Sequence, residues 1–144
     1  MDKILILNGP NLNLLGTRKP EIYGNFSLGD VEKLCVIFGK KLNVKIVCKQ
    51  SNCEGTLVDE IQNARGKYLG IVLNAGAYAH YSYAIRDAIE AITVPVVDVH
   101  ISDINAREEF RKNDVIKEVC KSAVVGEGIK GYLRAIEILV KAGR

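Results

Sequence analysis

No stretch of the 144 residues is apolar for long enough to span a bilayer. None is basic for long enough to track a nucleic acid. The 20 Lys and Arg are scattered against 17 Asp and Glu, which leaves a net charge of +3. That surplus would help draw in a small anion without identifying it. Four cysteines, at positions 35, 48, 53 and 120, form no CxxC pair. Neither Cys48 nor Cys53 has a second ligand pair nearby, so the spacing argues against zinc and for free thiols. The N-terminal MDKILILNG turns polar too early for a secretory leader, and a cytoplasmic location is expected. There is no internal repeat, no low-complexity segment and no composition break. The length suits one domain, residues 1–144, with a core large enough to fold without staples.

What is present alternates. KILIL (3–7) reads as a buried strand. Ser27 and Asp30 make a capping pair, after which Val31, Leu34, Cys35, Phe38 and Leu42 recur at helical spacing. A second strand is expected at 44–49, then a helix over 54–64 burying Leu57, Val58, Ile61 and Ala64. GIVLN (70–74) is a third strand, followed by a helix over 81–92 with Ala84, Ile85, Ala88 and Ile89 inward. VPVVDVH (94–100) is a fourth strand, with Pro95 tolerable at its start. AREEFRK (106–112) reads as a short exposed helix, 122–126 as a fifth strand and 129–141 as a closing helix. Five strand–helix units predict a flavodoxin-like, doubly wound sheet of five parallel strands with helices on both faces.

In such a sheet the ligand sits beyond the carboxyl ends of the strands. After the first strand come Asn8, Asn11, Arg18 and Tyr23; after the third, Asn74, Gly76 and His80; after the fourth, His100, Ser102 and Arg107. Both histidines of the chain fall at this edge. A single histidine there would more readily serve local hydrogen bonding, but two at one edge favour a site. Asp98, two residues earlier on the same strand face, would fix the tautomer of His100. The loop NGPNLNLLGTRKPEIYG (8–24) contains neither GxxxxGK[ST] nor GxGxxG, so it is not a phosphate cradle. Arg18 beside Tyr23 would favour a phenolate, and such pairs also occur in purely structural networks. Arg107 and Arg111, spaced i,i+4, read equally as substrate-binding residues or as solvated helix charges beside Glu108 and Glu109. Asp87 reads as a surface charge near Arg86 or a subunit neighbour. A response-regulator-like domain is disfavoured, because Asn74 stands where that class needs its phospho-accepting Asp. A flavodoxin-like nucleotide- or flavin-binding protein using the same edge is the alternative.

Taken together, NGPNLNLLGTRKPEIYG, QSNCEG, NAGAYAHYS with IRDAI, VDVHISDINAREEFR and VVGEGIKGY occur in an order that resembles type II 3-dehydroquinate dehydratase. The resemblance spans nearly the whole chain. It implies a flavodoxin-like fold, a dodecamer of four trimers, a small anionic substrate, and neither metal, cofactor nor Schiff-base lysine. It implies that Tyr23 is the base, with Arg18 lowering its pKa and holding a lid at about 16–25. Asn11 would bind the water that stabilises the enolate, and His100 would be the acid, oriented by Asp98. Asn74, with Ile101 and Ser102, would bind the substrate carboxylate, while His80 and Arg111 would hold ring hydroxyls. Asp87 would reach a neighbouring subunit's site, and Arg107 would frame the pocket. The family pattern has Glu at 98, His at 105 and often Ser at 114, where this chain has Asp98, Asn105 and Asp114. Asp98, one methylene shorter, is expected to orient His100 less well or through a water. Asp114 is expected to set a negative charge near a site that must accept a carboxylate.

Overall fold

The structure is a computed structural model that describes residues 1–144 apart from Arg18, with only the backbone described for Pro20 and Tyr23. Five strands, β1 (Lys3–Asn8), β2 (Lys45–Gln50), β3 (Gly70–Asn74), β4 (Val96–His100) and β5 (Ser122–Val125), form one sheet in the order β2-β1-β3-β4-β5. Every pairing is parallel. This is the expected flavodoxin-like order, and its direction reverses between β1 and β3. The helices are α1 (Pro20–Tyr23), α2 (Leu28–Lys41), α3 (Glu54–Asn63), α4 (Tyr83–Glu90) and α5 (Lys130–Gly143).

Side-chain alternation along the strands splits the core into two layers. Ile4 and Ile6 of β1 join Val72, Val97 and Val99 beneath α2 and α5, packed on Val31, Cys35, Ala135, Ile136 and Leu139. Leu5 and Leu7 face the other way with Ile71, Leu73 and Val96, under Leu57 and Ile61 of α3 and Ile85 and Ile89 of α4. A fully buried side chain of this size contributes about 1.5–3 kcal/mol of transfer free energy. Near-continuous apolar strands are what a sheet covered on both faces requires. The capping box of α2 forms as expected, with Ser27 Oγ accepting from Asp30 N and Asp30 Oδ2 accepting from Ser27 N, both at 3.1 Å.

Several boundaries differ from the sequence expectation. AREEFRK is not a continuous helix: two 3-10 turns, Ile104–Ala106 and Glu109–Lys112, flank an Arg107 of extended backbone. The i,i+4 argument for Arg107 and Arg111 therefore lapses. The third helix begins at Tyr83, because Ser82 caps it, its Oγ accepting from Ile85 N at 3.1 Å. His80 instead ends a 3-10 turn, Gly76–His80. Ala84 and Leu34, expected inward, are exposed, since each lies at the edge of its helix's apolar stripe. The four cysteines are free thiols, as expected.

The loops after β1 and β3 meet backbone to backbone. A Cβ on Gly9 would come within 2.6 Å of the Ala75 carbonyl oxygen, and Gly9 N donates to Asn74 O at 2.7 Å. Gly76 adopts φ +61, close to the Pro10 carbonyl. Side chains at either position would separate the loops that form the cleft mouth. Among the described residues no helix is long and apolar enough to cross a membrane.

Candidate active site

Five polar residues are buried among those described: Asn8, Asn74, Ser82, Asp98 and His100. Four of the five lie at or near the carboxyl ends of β1, β3 and β4, where burying polar groups is worthwhile only if they are hydrogen-bonded or functional. Above them lies a cleft lined by Asn11, Asn74, His80, His100, Ile101, Ser102, Arg107 and Arg111, together with Pro10, Leu12, Leu15, Gly76, Ala77 and Ile104. Nine residues singled out from the sequence, Gly76 among them, thus share one cavity. Asp98 is wholly buried behind His100, and Asp87 is exposed on α4, away from the cleft lining. Arg18 lies outside the described residues, as does the side chain of Tyr23.

His100 ends β4, and its Nε2 points inward, 3.1 Å from Asp98 Oδ1 and 3.0 Å from Asp114 Oδ2. Asp98, one methylene shorter than the family's Glu, reaches the ring directly rather than through a water. Asp114 is also not a charge in the cleft. It does not line the cavity, and it faces the imidazole from behind. Burial alone would lower the pKa of His100, but the hydrogen bonds to Asp114 and Asp98 and their charges raise it to about 9. Nε2 must carry a proton to donate to carboxylates. Among the described residues Nδ1 has no hydrogen-bond partner. At neutral pH the ring is an imidazolium with Nδ1–H available.

His80 is the opposite case. Its Nδ1 lies 2.7 Å from the Asn113 carbonyl oxygen, which can only accept, so Nδ1 carries the proton and Nε2 is an acceptor. Burial lowers its pKa, partly offset by that bond, so it is neutral at pH 7. The two rings lie 6.2 Å apart, one charged and one not. Arg111 donates from Nε to Glu108 Oε2 at 2.8 Å, and its guanidinium sits 4.8 Å from the Phe110 ring centre. Arg107 Nη1 reaches Ser102 Oγ at 3.5 Å. The cleft thus combines two arginines, an imidazolium donor and a neutral imidazole acceptor, a set that suits a small polyhydroxylated acid.

Sequence reasoning missed the support beneath Asn74. Tyr132 of α5 is completely buried, donates to Asn8 Oδ1 at 2.6 Å and accepts from Asn74 Nδ2 at 2.9 Å. Asn74 Oδ1 accepts from Gly76 N at 3.1 Å. The Asn74 amide is therefore fixed, with one N–H left over. The available signal was a tyrosine on the inward face of an amphipathic helix, whose hydroxyl must find a partner when buried. Tyr132→Phe would leave Asn8 Oδ1 and one Asn74 N–H unsatisfied, and is expected to cost about 1–3 kcal/mol in urea unfolding. An unchanged midpoint would show the network to be dispensable.

A second cleft shares Ile101, Ser102 and Arg107 and extends to Ile22, Gly24 and Phe26, on either side of Tyr23. Ile22, Gly24 and Phe26 of the opening loop therefore share a cleft with the loop that follows His100.

The whole-chain comparisons agree with this geometry. The chain is 52% identical to a 3-dehydroquinate dehydratase of Variovorax paradoxus, over 97% of this chain and 99% of the relative. It is 50% identical to one of Bacillus subtilis, over 97% and 95%. The solved type II dehydroquinase of Butyrivibrio crossotus superposes with a TM-score of 0.94 at 47% identity, over 96% of this chain and 97% of that one. A 3-dehydroquinate dehydratase-like protein from Bifidobacterium longum is more distant, at 26% identity and a TM-score of 0.73. The model of the class II dehydroquinase family matches residues 2–140, and the chain belongs to that family.

Proposed function

We propose that the cleft performs the trans elimination of water from 3-dehydroquinate, giving 3-dehydroshikimate through an enolate. Family membership makes the chain a hydro-lyase of the shikimate pathway. The rival reading, nucleotide or flavin binding, gains no support from these relatives.

Elimination through an enolate needs a base, stabilisation of the developing oxyanion and an acid for a poor leaving group. Tyr23, as phenolate beside Arg18, takes the proton on the carbon next to the ketone. The electrons move onto the carbonyl oxygen, where Asn11 holds a stabilising water. The enolate then reforms the ketone as the C–O bond to the ring hydroxyl breaks. His100 gives its Nδ1 proton to that hydroxyl, which leaves as water. Asn74, Ser102 and the backbone N–H groups of Ile101 and Ser102 bind the carboxylate. Arg111 donates to ring hydroxyls, and the neutral His80 accepts from one. Asp98 orients His100, and Arg107 frames the pocket.

The single observation that carries this reading is an imidazolium at the cleft, held charged by carboxylates on its far side. It supports His100 as an acid rather than a base or a metal ligand. Residues 16–25 form the lid over a catalytic domain comprising residues 1–144, a reading supported by the contact of Ile22 and Gly24 with the second cleft. The exposed position of Asp87 suits a residue that reaches a neighbouring subunit's site in a dodecamer of four trimers. The enzyme works in the cytoplasm, and its substrate is a small anion rather than a nucleic acid or a membrane.

Mixed with 3-dehydroquinate and no added metal or cofactor, the purified protein is expected to develop the ultraviolet absorbance of a conjugated enone. Neither chelator nor borohydride should diminish it. Folded protein that forms no enone would refute the assignment.

A further inference from the structure

Asp114 belongs to no helix or strand, yet it is held on every side. Its Oδ1 accepts the backbone N–H groups of Ile116 at 3.0 Å and Lys117 at 3.1 Å, and its Oδ2 lies 3.0 Å from Nε2 of His100. The segment around it is pinned as well. Val115 N donates to Ala79 O at 2.9 Å, Arg86 Nη1 donates to Val115 O at 2.8 Å, and Ile116 is fully buried. The carbonyl of the preceding residue, Asn113, receives the Nδ1 proton of His80. Two adjacent residues therefore hold both histidines of the cleft.

One imidazole nitrogen has one N–H, and two carboxylates compete for it. Were Asp98, Asp114 and an imidazolium all ionised, the buried cluster would carry a net negative charge, which is costly without solvent. A shared proton removes that charge, as in close carboxylate pairs. The surroundings decide where it rests. Asp114 has two backbone donors that favour its ionised form. Asp98 is wholly buried and has no backbone donor among the described residues: its Oδ2 meets Nε2 at 3.2 Å, and its Oδ1, although 3.1 Å from Nε2, lies outside hydrogen-bond geometry. Burial pushes the carboxyl of Asp98 up, whereas the hydrogen bonds to Asp114 outweigh its own burial and hold it down.

We infer that Asp114 is the positioning residue that supplies the counter-charge to His100, and that Asp98 is the neutral, proton-holding neighbour. The inference rests on the reading of His100 as the acid. The shorter side chain at 98 and the carboxylate at 114 then work as one unit. The oxygens and nitrogen of the three groups are turned on one another at 3.0–3.2 Å, within hydrogen-bond distance.

Among the described residues the titratable and charged groups facing His100 are few: Asp98 on its own strand, Asp114 on the 113–117 segment, the neutral His80 at the end of its 3-10 turn and Arg111 beyond it. Cys120, near both carboxylates, stays a neutral thiol because burial raises its pKa. The chain has only two histidines, so an imidazole NMR titration resolves His100 with His80 as an internal reference. In the unaltered protein His100 should titrate at about 9. Asp114→Asn should lower that midpoint by about 1–3 pH units, and Asp98→Asn by less than about one, while Asp114→Glu recovers most of the loss. The basic limb of kcat/KM should move with the midpoint.

A midpoint at or below the ordinary 6.5 in the unaltered protein would overturn the inference even if no variant folds. So would a larger shift in Asp98→Asn than in Asp114→Asn. The titration does not depend on turnover. If the midpoint shifts as stated while the basic limb stays put, the reading of His100 as the acid fails, and the pairing stands.

Discussion

His100→Gln is expected to fold and to lower kcat by roughly 10²–10⁴-fold, the usual worth of a positioned general acid. The ring sits at the carboxyl end of β4, in the lining of the cleft, with one nitrogen spent on carboxylates and the other without a partner among the described residues. Glutamine preserves much of the volume and can still hydrogen-bond, but it has no proton to give. KM should change little, because the contacts proposed for the substrate carboxylate and ring hydroxyls belong to other residues. A loss confined to KM would mean that His100 only binds.

The same group sets a pH dependence whose sign can be worked out. Its pKa is raised on folding, from 6.5 to about 9, so the folded state favours the protonated ring. The stability this contributes is full below about 6.5 and is lost as pH rises through about 9. The acid stays loaded over that range, so kcat/KM of the unaltered enzyme should begin its basic decline near 9. In His100→Gln the stability component should vanish, and unfolding midpoints measured across this range should flatten.

Tyr23→Phe should cost as much or more in kcat, again about 10²–10⁴-fold, with folding intact. A tyrosine with its ordinary pKa of about 10 is a poor base at neutral pH, and lowering that value by about three units takes roughly 4 kcal/mol of differential stabilisation. In the proposed reading the Arg18 guanidinium supplies it. Residues 22 and 24 line the cleft that contains Ile101, Ser102 and Arg107, so the chain carries Tyr23 past the site. Unaltered turnover in Tyr23→Phe would remove it as the base.

Much of this was legible in the sequence, and for physical reasons. ILIL, GIVL and VPVV are unbroken apolar runs because their strands are buried on both faces, and that pattern points to a parallel sheet. Once the sheet is known, its carboxyl edge gathers Asn11, Asn74, His80, His100 and Ser102 without further information. The rest depended on tertiary contacts that no local pattern encodes. The supposed helix at 106–112 is two 3-10 turns, because its stretch is tied to the cleft through Arg107 and Arg111 rather than to an apolar face. Tyr132 reaches Asn8 across 124 residues. Asp114, expected near an anion site, stands behind His100 with its Oδ2 3.0 Å from Nε2, a contact between residues 14 apart that no periodicity encodes.

The central claim is that base and acid act from opposite faces of the substrate ring, from the 11–23 loop and from the end of β4. It is tested most directly with 3-dehydroquinate deuterated stereospecifically on the carbon next to the ketone, at the position anti to the departing hydroxyl. NMR of the 3-dehydroshikimate formed should show that this deuterium has been lost and its geminal proton kept. Retention of the anti deuterium, with loss of the proton on the same face as the hydroxyl, would contradict the account.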